Sequence, residues 1–217
     1  HIPAAVIWAG IFCLWSFEYA IATPYFQKLG FSTQVALLLW CAGPLSGLLV
    51  GPIVGVFSDR CTSRFGRRRP FILGGVVCTV VAAILFASAQ TVYESCRTAD
   101  AQILAVVGFW LMDLSINTIQ NPARALMADL CTTPEEQVTG QALIARFCGL
   151  GYLLGFAIVS FWPQGIQHLK GVYIVGIAIL LSTSAVTLCL AKEKPLSAAK
   201  DAKDPQQRSG SSVHSVT

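Results

Sequence analysis

The chain alternates six long apolar stretches with short polar turns. Each stretch is almost free of Lys, Arg, Asp and Glu. A helix that rises about 1.5 Å per residue needs about 20 residues to cross about 30 Å of hydrocarbon, and all six stretches are long enough. The pattern therefore predicts an all-α membrane protein with six transmembrane helices. These spans are predicted at about 2–25, 33–57, 70–90, 102–123, 140–162 and 171–191.

The composition agrees with a lipid environment. The chain is 54% hydrophobic and 12% charged, with a mean hydropathy of +0.63. Soluble domains contain about 25% charged residues, so this apolar surface exceeds what a water-facing globule could hide. The net charge of +4 is concentrated beside the apolar stretches. It therefore indicates membrane topology and not a nucleic-acid partner.

The charges between the spans predict an orientation. The loops after spans one, three and five carry only Lys28, Arg97 and Lys170. By the positive-inside rule, the loop rich in arginine is cytoplasmic, which places both ends of the chain in the cytoplasm. The arginines of that loop are Arg60, Arg64, Arg67, Arg68 and Arg69.

The last segment differs in composition from the rest. Residues 1–191 hold the six spans, whereas residues 192–217 are rich in Lys, Ser, Gln, Asp and Pro. Such a segment buries too little apolar surface to offset the entropy of ordering. We expect a disordered cytoplasmic tail or the start of a central linker. The chain begins with His1 and not Met, so we expect that an upstream segment was removed.

The second span contains glycines at a strict spacing of four. They form one stripe along the helix, where another helix can approach closely. Two interpretations stay open: packing inside the six-helix bundle, or a sliding contact with a helix of a second half. Gly151 and Gly155 form a weaker version in the fifth span. The stripe consists of Gly43, Gly47, Gly51 and Gly55.

One face of the fourth span carries polar groups among Leu, Ile, Ala and Met. Asp113, Asn117, Gln120 and Arg124 occur at i, i+4, i+7 and i+11. A carboxylate in mid-membrane costs about 2.5 to 3.5 kcal/mol on insertion scales, so this face should line an aqueous pathway. Burial favours the neutral carboxyl group, so Asp113 could bind and release a proton.

The other three polar groups of this face have open roles. Asn117 and Gln120 could bind sugar hydroxyls or neighbouring helices. Eleven helical residues span about 16 Å, which excludes a direct Asp113–Arg124 pair. Arg124 could instead pair with Asp129 or with an acid on another helix, and Arg146 could join the same network.

The first span holds a second carboxylate at membrane depth. Glu18 is flanked by Trp15, Phe17 and Tyr19. Aromatic rings that stack on a pyranose, next to a carboxylate that accepts hydroxyl hydrogen bonds, are typical of a sugar site.

The loop after the second span resembles a known family. It reads SDRCTSRFGRRRPFI, in which an acid at a helix end precedes a turn rich in cations. This string is similar to the loop between helices two and three of the major facilitator superfamily, in the version found in sucrose/proton symporters. The resemblance implies that Asp59 is the acid of a cytoplasmic gating motif that begins at Gly55. Gly66 would be its turn residue, and the five arginines its cationic partners. A topogenic loop that touches lipid phosphate is the alternative.

Further strings resemble the sucrose transporters and their animal and fungal relatives. They are TPYFQKLG, WCAGPLSGLLVGPIVG and GFWLMDLSINTIQNPARALMADL. The resemblance implies the N-terminal half of a 12-helix fold that carries a sugar with a proton by alternating access, and we expect it in the plasma membrane and not an internal membrane. A second six-helix half would be its partner. The acid matching Asp113 would be the proton site, and the arginine matching Arg124 would be essential.

Two departures leave the sugar open. Plant members show glutamine where this chain has Glu18, and they commonly carry a histidine at the position of Thr33. We therefore expect sucrose or a related glycoside.

Other functions find less support in the sequence. No P-loop, G-x-S-x-G or H-E-x-x-H motif occurs, and the eight cysteines include no C-x-x-C pair. We expect neither enzyme activity nor a cofactor or metal. The remaining alternative is a non-transporting sugar sensor, or a truncated regulatory half-transporter, that uses the same fold.

Overall fold

The computed structural model describes residues 1–63, 65–95, 97–162 and 169–191. Within these residues the chain forms helices joined by short turns, with no strand. The helices are α1 (Ile2–Ala5), α2 (Ile7–Lys28), α3 (Thr33–Leu39), α4 (Ala42–Arg60), α5 (Arg69–Ser95), α6 (Thr98–Leu130), α7 (Pro134–Phe161) and α8 (Leu169–Leu190).

These helices make six spans that are long and apolar enough to cross a membrane. The first span combines α1 and α2, and the second combines α3 and α4; each later helix is one span. The prediction of an all-α protein with six transmembrane helices is confirmed. The predicted tail at 192–217 lies outside the described residues.

Several helices extend beyond the apolar stretches that predicted them. The fourth span runs for 33 residues and includes Pro122. At about 1.5 Å per residue it is about 50 Å long, so its ends project past the hydrocarbon. Hydropathy marks only the part of a helix in lipid, because polar residues continue a helix equally well in water.

Capping residues fix two of the helix starts. The Ser32 side chain accepts a hydrogen bond from the Val35 amide at the start of α3. Thr133 and Glu136 form a capping box at the start of α7, in which each side chain accepts a hydrogen bond from the other residue's amide. The chain therefore turns sharply between spans at both ends of the bundle.

The spans pack in a symmetric pattern. The first span packs against the fifth and sixth, and the fourth packs against the second and third. The third and sixth spans also pack against each other. Exchanging spans one to three with spans four to six leaves this pattern unchanged, as in an inverted repeat. Spans one and four therefore occupy equivalent central positions.

The second and fifth spans are the least buried. In each, 17% of the most apolar window is buried, against 72% in the first span. Both present large exposed apolar side chains, including Leu48 and Leu153. The two most exposed helices are thus related by the same exchange of repeats.

Close helix contacts in the bundle depend on glycine. A Cβ at Gly155 would lie 2.7 Å from the Cys13 carbonyl oxygen, and one at Gly151 would lie 2.5 Å from that of Ala9. Gly108 meets the Phe86 backbone in the same way. The fifth-span glycines therefore bring that helix against the first span within this half.

Candidate functional site

A cavity of about 260 Å³ opens between the first, second and fourth spans. Six residues that the sequence singled out line it: Trp15, Glu18, Tyr19, Gly43, Asp113 and Asn117. Trp40 and Pro44 complete its wall. The cavity thus combines carboxyl, amide and aromatic groups at membrane depth.

Both carboxyl groups of the cavity are nearly inaccessible to water. Asp113 is 4% exposed and Glu18 is 2% exposed. The Trp15 indole lies near the Asp113 carboxylate, to which it can donate a hydrogen bond. Among the described residues, Glu18 Oε1 has no hydrogen-bond partner. A buried polar atom without a partner is costly, which makes Glu18 available to a ligand or water.

Two stacked rings form the aromatic wall. The Tyr19 and Trp40 ring centroids lie 5.4 Å apart with an angle of 8° between the planes. The Trp40 indole donates a hydrogen bond of 3.0 Å to the Thr23 hydroxyl, which fixes the indole in place. Trp40 lies at the junction between α3 and α4, where the second span departs from a continuous helix.

Asn117 both lines the cavity and holds two spans together. Its amide nitrogen donates to the Ser46 hydroxyl at 2.8 Å and to the Asp113 carbonyl oxygen at 3.0 Å. These bonds use the amide nitrogen, and the amide oxygen can accept a hydrogen bond from a ligand. Gln120 is not among the residues that line this cavity. It is 7% exposed, and its amide nitrogen has no partner among the described residues.

Arg124 lies apart from the cavity. Its guanidinium carbon is 4.7 Å from the centroid of the Trp8 ring, a cation–π contact with the first span. The suggested pairing of Arg124 with Asp129 is not the one that forms. Asp129 binds Arg67 at 2.5 Å and Arg68 at 3.3 Å, because the loop after the second span folds across the end of the fourth.

A charge cluster ties the ends of the second and fourth spans together. The centre is Arg68, which is 6% exposed and binds Asp59 at 2.5 Å as well as Asp129. It also donates to the Ser58 hydroxyl at 2.8 Å. Asp59, Arg67, Arg68 and Asp129, called the charge cluster below, therefore link two spans that both line the cavity.

The other predicted residues of this loop have varied positions. Gly66 has φ of +110°, a conformation that favours glycine, as expected of a turn residue. Arg69 donates to the Ala191 carbonyl oxygen at the end of α8. Arg60 is exposed and, within the described residues, forms no ion pair. Arg64 lies outside the described residues.

The glycine stripe of the second span faces an open surface for part of its length. A Cβ at Gly47 would lie 3.7 Å from Asn117, and one at Gly51 would lie 3.8 Å from Asn121. Cβ atoms at Gly43 and Gly55 would meet no atom of the described residues within 4 Å. The stripe differs from Gly151 and Gly155, because no close helix contact in the described bundle requires it.

Sequence reasoning missed Trp40 and Ser46, and it named Asp129 only as a partner of Arg124. Trp40 carried a weak signal, as the one tryptophan in the second span beside the glycine stripe. The signal was weaker for Ser46 and for the arginine pairing of Asp129, because their partners lie 71 and at least 61 positions away in the chain.

Comparisons with known proteins all match sugar transport proteins. The profile of the family described as MFS/sugar transport protein matches residues 7–216. Sucrose transport protein SUC3 of Arabidopsis thaliana is 34% identical over 92% of this chain and 38% of its own length. Sucrose transport protein SUT4 of Oryza sativa subsp. indica is 36% identical over 90% of this chain and 37% of its length.

A third relative agrees with these two. Sucrose transport protein SUT1 of Oryza sativa subsp. japonica is 36% identical over 89% of this chain and 41% of its length. The chain thus spans about two fifths of the curated relatives that it matches. Together with the six spans, the family match shows that this chain belongs to the MFS/sugar transport protein family and fits the N-terminal half of the major facilitator fold.

Proposed function

We propose that this chain supplies the N-terminal half of a transporter that carries sucrose or a related glycoside together with a proton. The proposal rests chiefly on one observation: two buried carboxyl groups and a stacked aromatic pair share one cavity. The curated relatives are named as sucrose transport proteins, which supports a sugar as the substrate.

The cavity offers both kinds of sugar contact. The outer side of the stacked Tyr19 and Trp40 pair can provide a flat apolar surface for the C–H groups of a pyranose ring. Glu18 and the Asn117 amide oxygen can accept hydrogen bonds from sugar hydroxyls. Because the second half would close the opposite side, the cavity described here would be part of the complete sugar site.

Asp113 is the proposed proton carrier. It occupies the central fourth span, and Glu18 places a second carboxyl group in the same cavity. Two carboxylates in a small, dry space repel each other, and a proton on Asp113 removes that repulsion. Sugar would then bind preferentially to the protonated form, which couples the two fluxes.

The charge cluster is the proposed cytoplasmic gate. It joins the ends of the second and fourth spans, so a change in their separation must break or reform its ion pairs. The positive-inside rule assigns this end of the bundle, with both chain termini, to the cytoplasm. Alternating access would follow from rocking of this half against the second, in the plasma membrane.

Flux into proteoliposomes tests this proposal. The complete transporter, meaning this chain with a second six-helix half, is reconstituted and given labelled sucrose with and without an inward proton gradient. We expect the gradient to accelerate uptake, and sugar addition to draw protons inward. Sugar binding without flux would contradict the proposal and indicate the sensor alternative.

A further inference from the structure

A groove lies between the third and sixth spans, apart from the cavity described above. Two adjoining cavities of about 310 and 190 Å³ share Ala87 and Lys170 and form one groove. The groove and the sugar cavity have no lining residue in common. A molecule bound in the groove would therefore not contact the residues that line the sugar cavity.

One end of the groove is polar and carries both charges. Glu94 and Lys170 line it together with Gln90 and Thr91. Within the described residues, Glu94 and Lys170 form no ion pair with each other, and Glu94 accepts one hydrogen bond of 3.1 Å, from Gln90. An anionic and a cationic group thus line one site without forming an ion pair with each other in the described part of the chain.

The same end presents an aromatic ring. Trp162 lines the polar cavity and packs on the start of the sixth span, where a Cβ at Gly171 would lie 3.1 Å from the indole. Aromatic faces attract ammonium groups. Glu94 and Trp162 therefore form an acidic and aromatic pocket, and Lys170 lies beside it.

The other end of the groove is apolar and lies deeper in the membrane. It is lined by Ala83, Ile84, Ile174 and Ile177. Ile84 precedes Glu94 by ten helical residues, so the two ends are about 15 Å apart along the helix. Glu94 lies one residue before the end of α5, and Lys170 one residue after the start of α8, which places the polar end at the membrane interface.

We propose that this groove binds a zwitterionic phospholipid. Lys170 contacts the phosphate, Glu94 and Trp162 contact the ammonium group, and an acyl chain fills the apolar end. The order of charges matches such a headgroup, whereas an anionic headgroup would meet repulsion from Glu94. The groove thus selects lipid by headgroup, at a site that the sugar does not use.

Competition between lipids tests the proposal. The complete transporter in detergent is mixed with equal amounts of phosphatidylcholine, phosphatidylethanolamine and phosphatidylglycerol that have identical acyl chains. Native mass spectrometry then counts the retained lipids. We expect both zwitterionic lipids to be retained over phosphatidylglycerol. Equal retention of all three lipids would overturn the proposal, because it would show that the groove does not distinguish between headgroups.

Two variants locate the preference. Glu94→Gln should reduce the preference for zwitterionic lipid about fivefold, and Lys170→Gln should lower retention of all three lipids by about the same factor. Asp100→Asn and Lys28→Gln are matched controls, because both exposed charges lie near the same end of the bundle but outside the groove. Equal effects of variants and controls would contradict the site.

Discussion

Different side chains in the cavity are proposed to bind the proton and the sugar. Asp113 and Glu18 are both carboxylates with almost no exposure, yet they have different surroundings. Asp113 interacts with Trp15, whereas Glu18 keeps an oxygen atom without a partner among the described residues. The difference favours Asp113 for reversible protonation and Glu18 for direct contact with sugar.

The stacked indole of Trp40 should contribute to sugar affinity. Trp40→Ala removes one face of the aromatic wall, so we expect the KM for sugar uptake to rise about three- to tenfold. Trp40→Phe retains a ring and should recover most of the affinity. Uptake kinetics in proteoliposomes measure both variants, and an unchanged KM for Trp40→Ala would exclude this wall from the sugar site.

Arg68 should stabilise the fold, because it compensates two acids from a buried position. Arg68→Gln removes a positive charge that pairs with both Asp59 and Asp129. We expect a loss of about 1 to 3 kcal/mol in the free energy of unfolding, since both acids are partly exposed and water screens them. Unfolding in detergent micelles measures the change.

Arg60→Gln is the matched control for that prediction. Arg60 is one residue beyond Asp59 but is exposed, and it forms no ion pair within the described part of the chain. Its replacement should change stability by less than about 0.5 kcal/mol. Equal losses in the two variants would show that the charge cluster contributes nothing specific.

Helical periodicity explains which parts of the site the sequence could predict. The spacing of Asp113 and Asn117 placed both on one helical face, and the structure places both on one cavity wall. Arg124 lies at a similar angle around the helix. It is eleven residues farther along the helix axis, however, where it contacts the Trp8 ring. Angular position follows from sequence spacing, whereas contacts along the helix axis depend on the neighbouring helix.

Tertiary packing explains the residues that spacing could not find. Trp40 stacks on Tyr19 at the junction between α3 and α4, and local sequence does not encode the position of the partner helix. Asp129 meets Arg68 only because the second–third loop crosses the end of the fourth span. Both contacts join segments that lie far apart in the chain.

The tight approach of the first and fifth spans gives a prediction about packing. In Gly155→Ala the new methyl group would lie 2.5 Å from the Ser16 Cβ and 2.7 Å from the Cys13 oxygen, so the helices must separate. We expect a loss of about 1 to 3 kcal/mol in unfolding free energy. Gly55→Ala meets no atom of the described residues within 4 Å and should be neutral or slightly stabilising. Unfolding in detergent compares them, and equal stability would refute the close contact.

We propose that the whole molecule works by motion between this half and a second one. The second and fifth spans are exposed in this half, and Cβ atoms at two positions of the glycine stripe would meet no atom of the described residues within 4 Å. These helices are therefore available to a second half. The symmetric arrangement places them in equivalent positions around the central first and fourth spans.

A bulky residue on the stripe should block transport without unfolding this half. Gly55→Leu projects into open space here, so we expect normal expression but little sugar uptake. Gly74→Leu is the matched control, since Gly74 also has no neighbour among the described residues within 4 Å but lies on the third span. Uptake by cells that express each variant measures the effect. If Gly55→Leu transports as well as the control, the sliding contact is wrong.

The most direct test of the account is sugar-driven proton uptake by Asp113→Asn, compared with Glu18→Gln. Both variants replace a carboxylate of the same cavity with an amide of similar size. We expect Asp113→Asn to abolish proton uptake but to retain sugar exchange, because the amide mimics the protonated acid. Glu18→Gln should retain proton uptake, with altered sugar affinity. Undiminished proton uptake by Asp113→Asn would contradict the account.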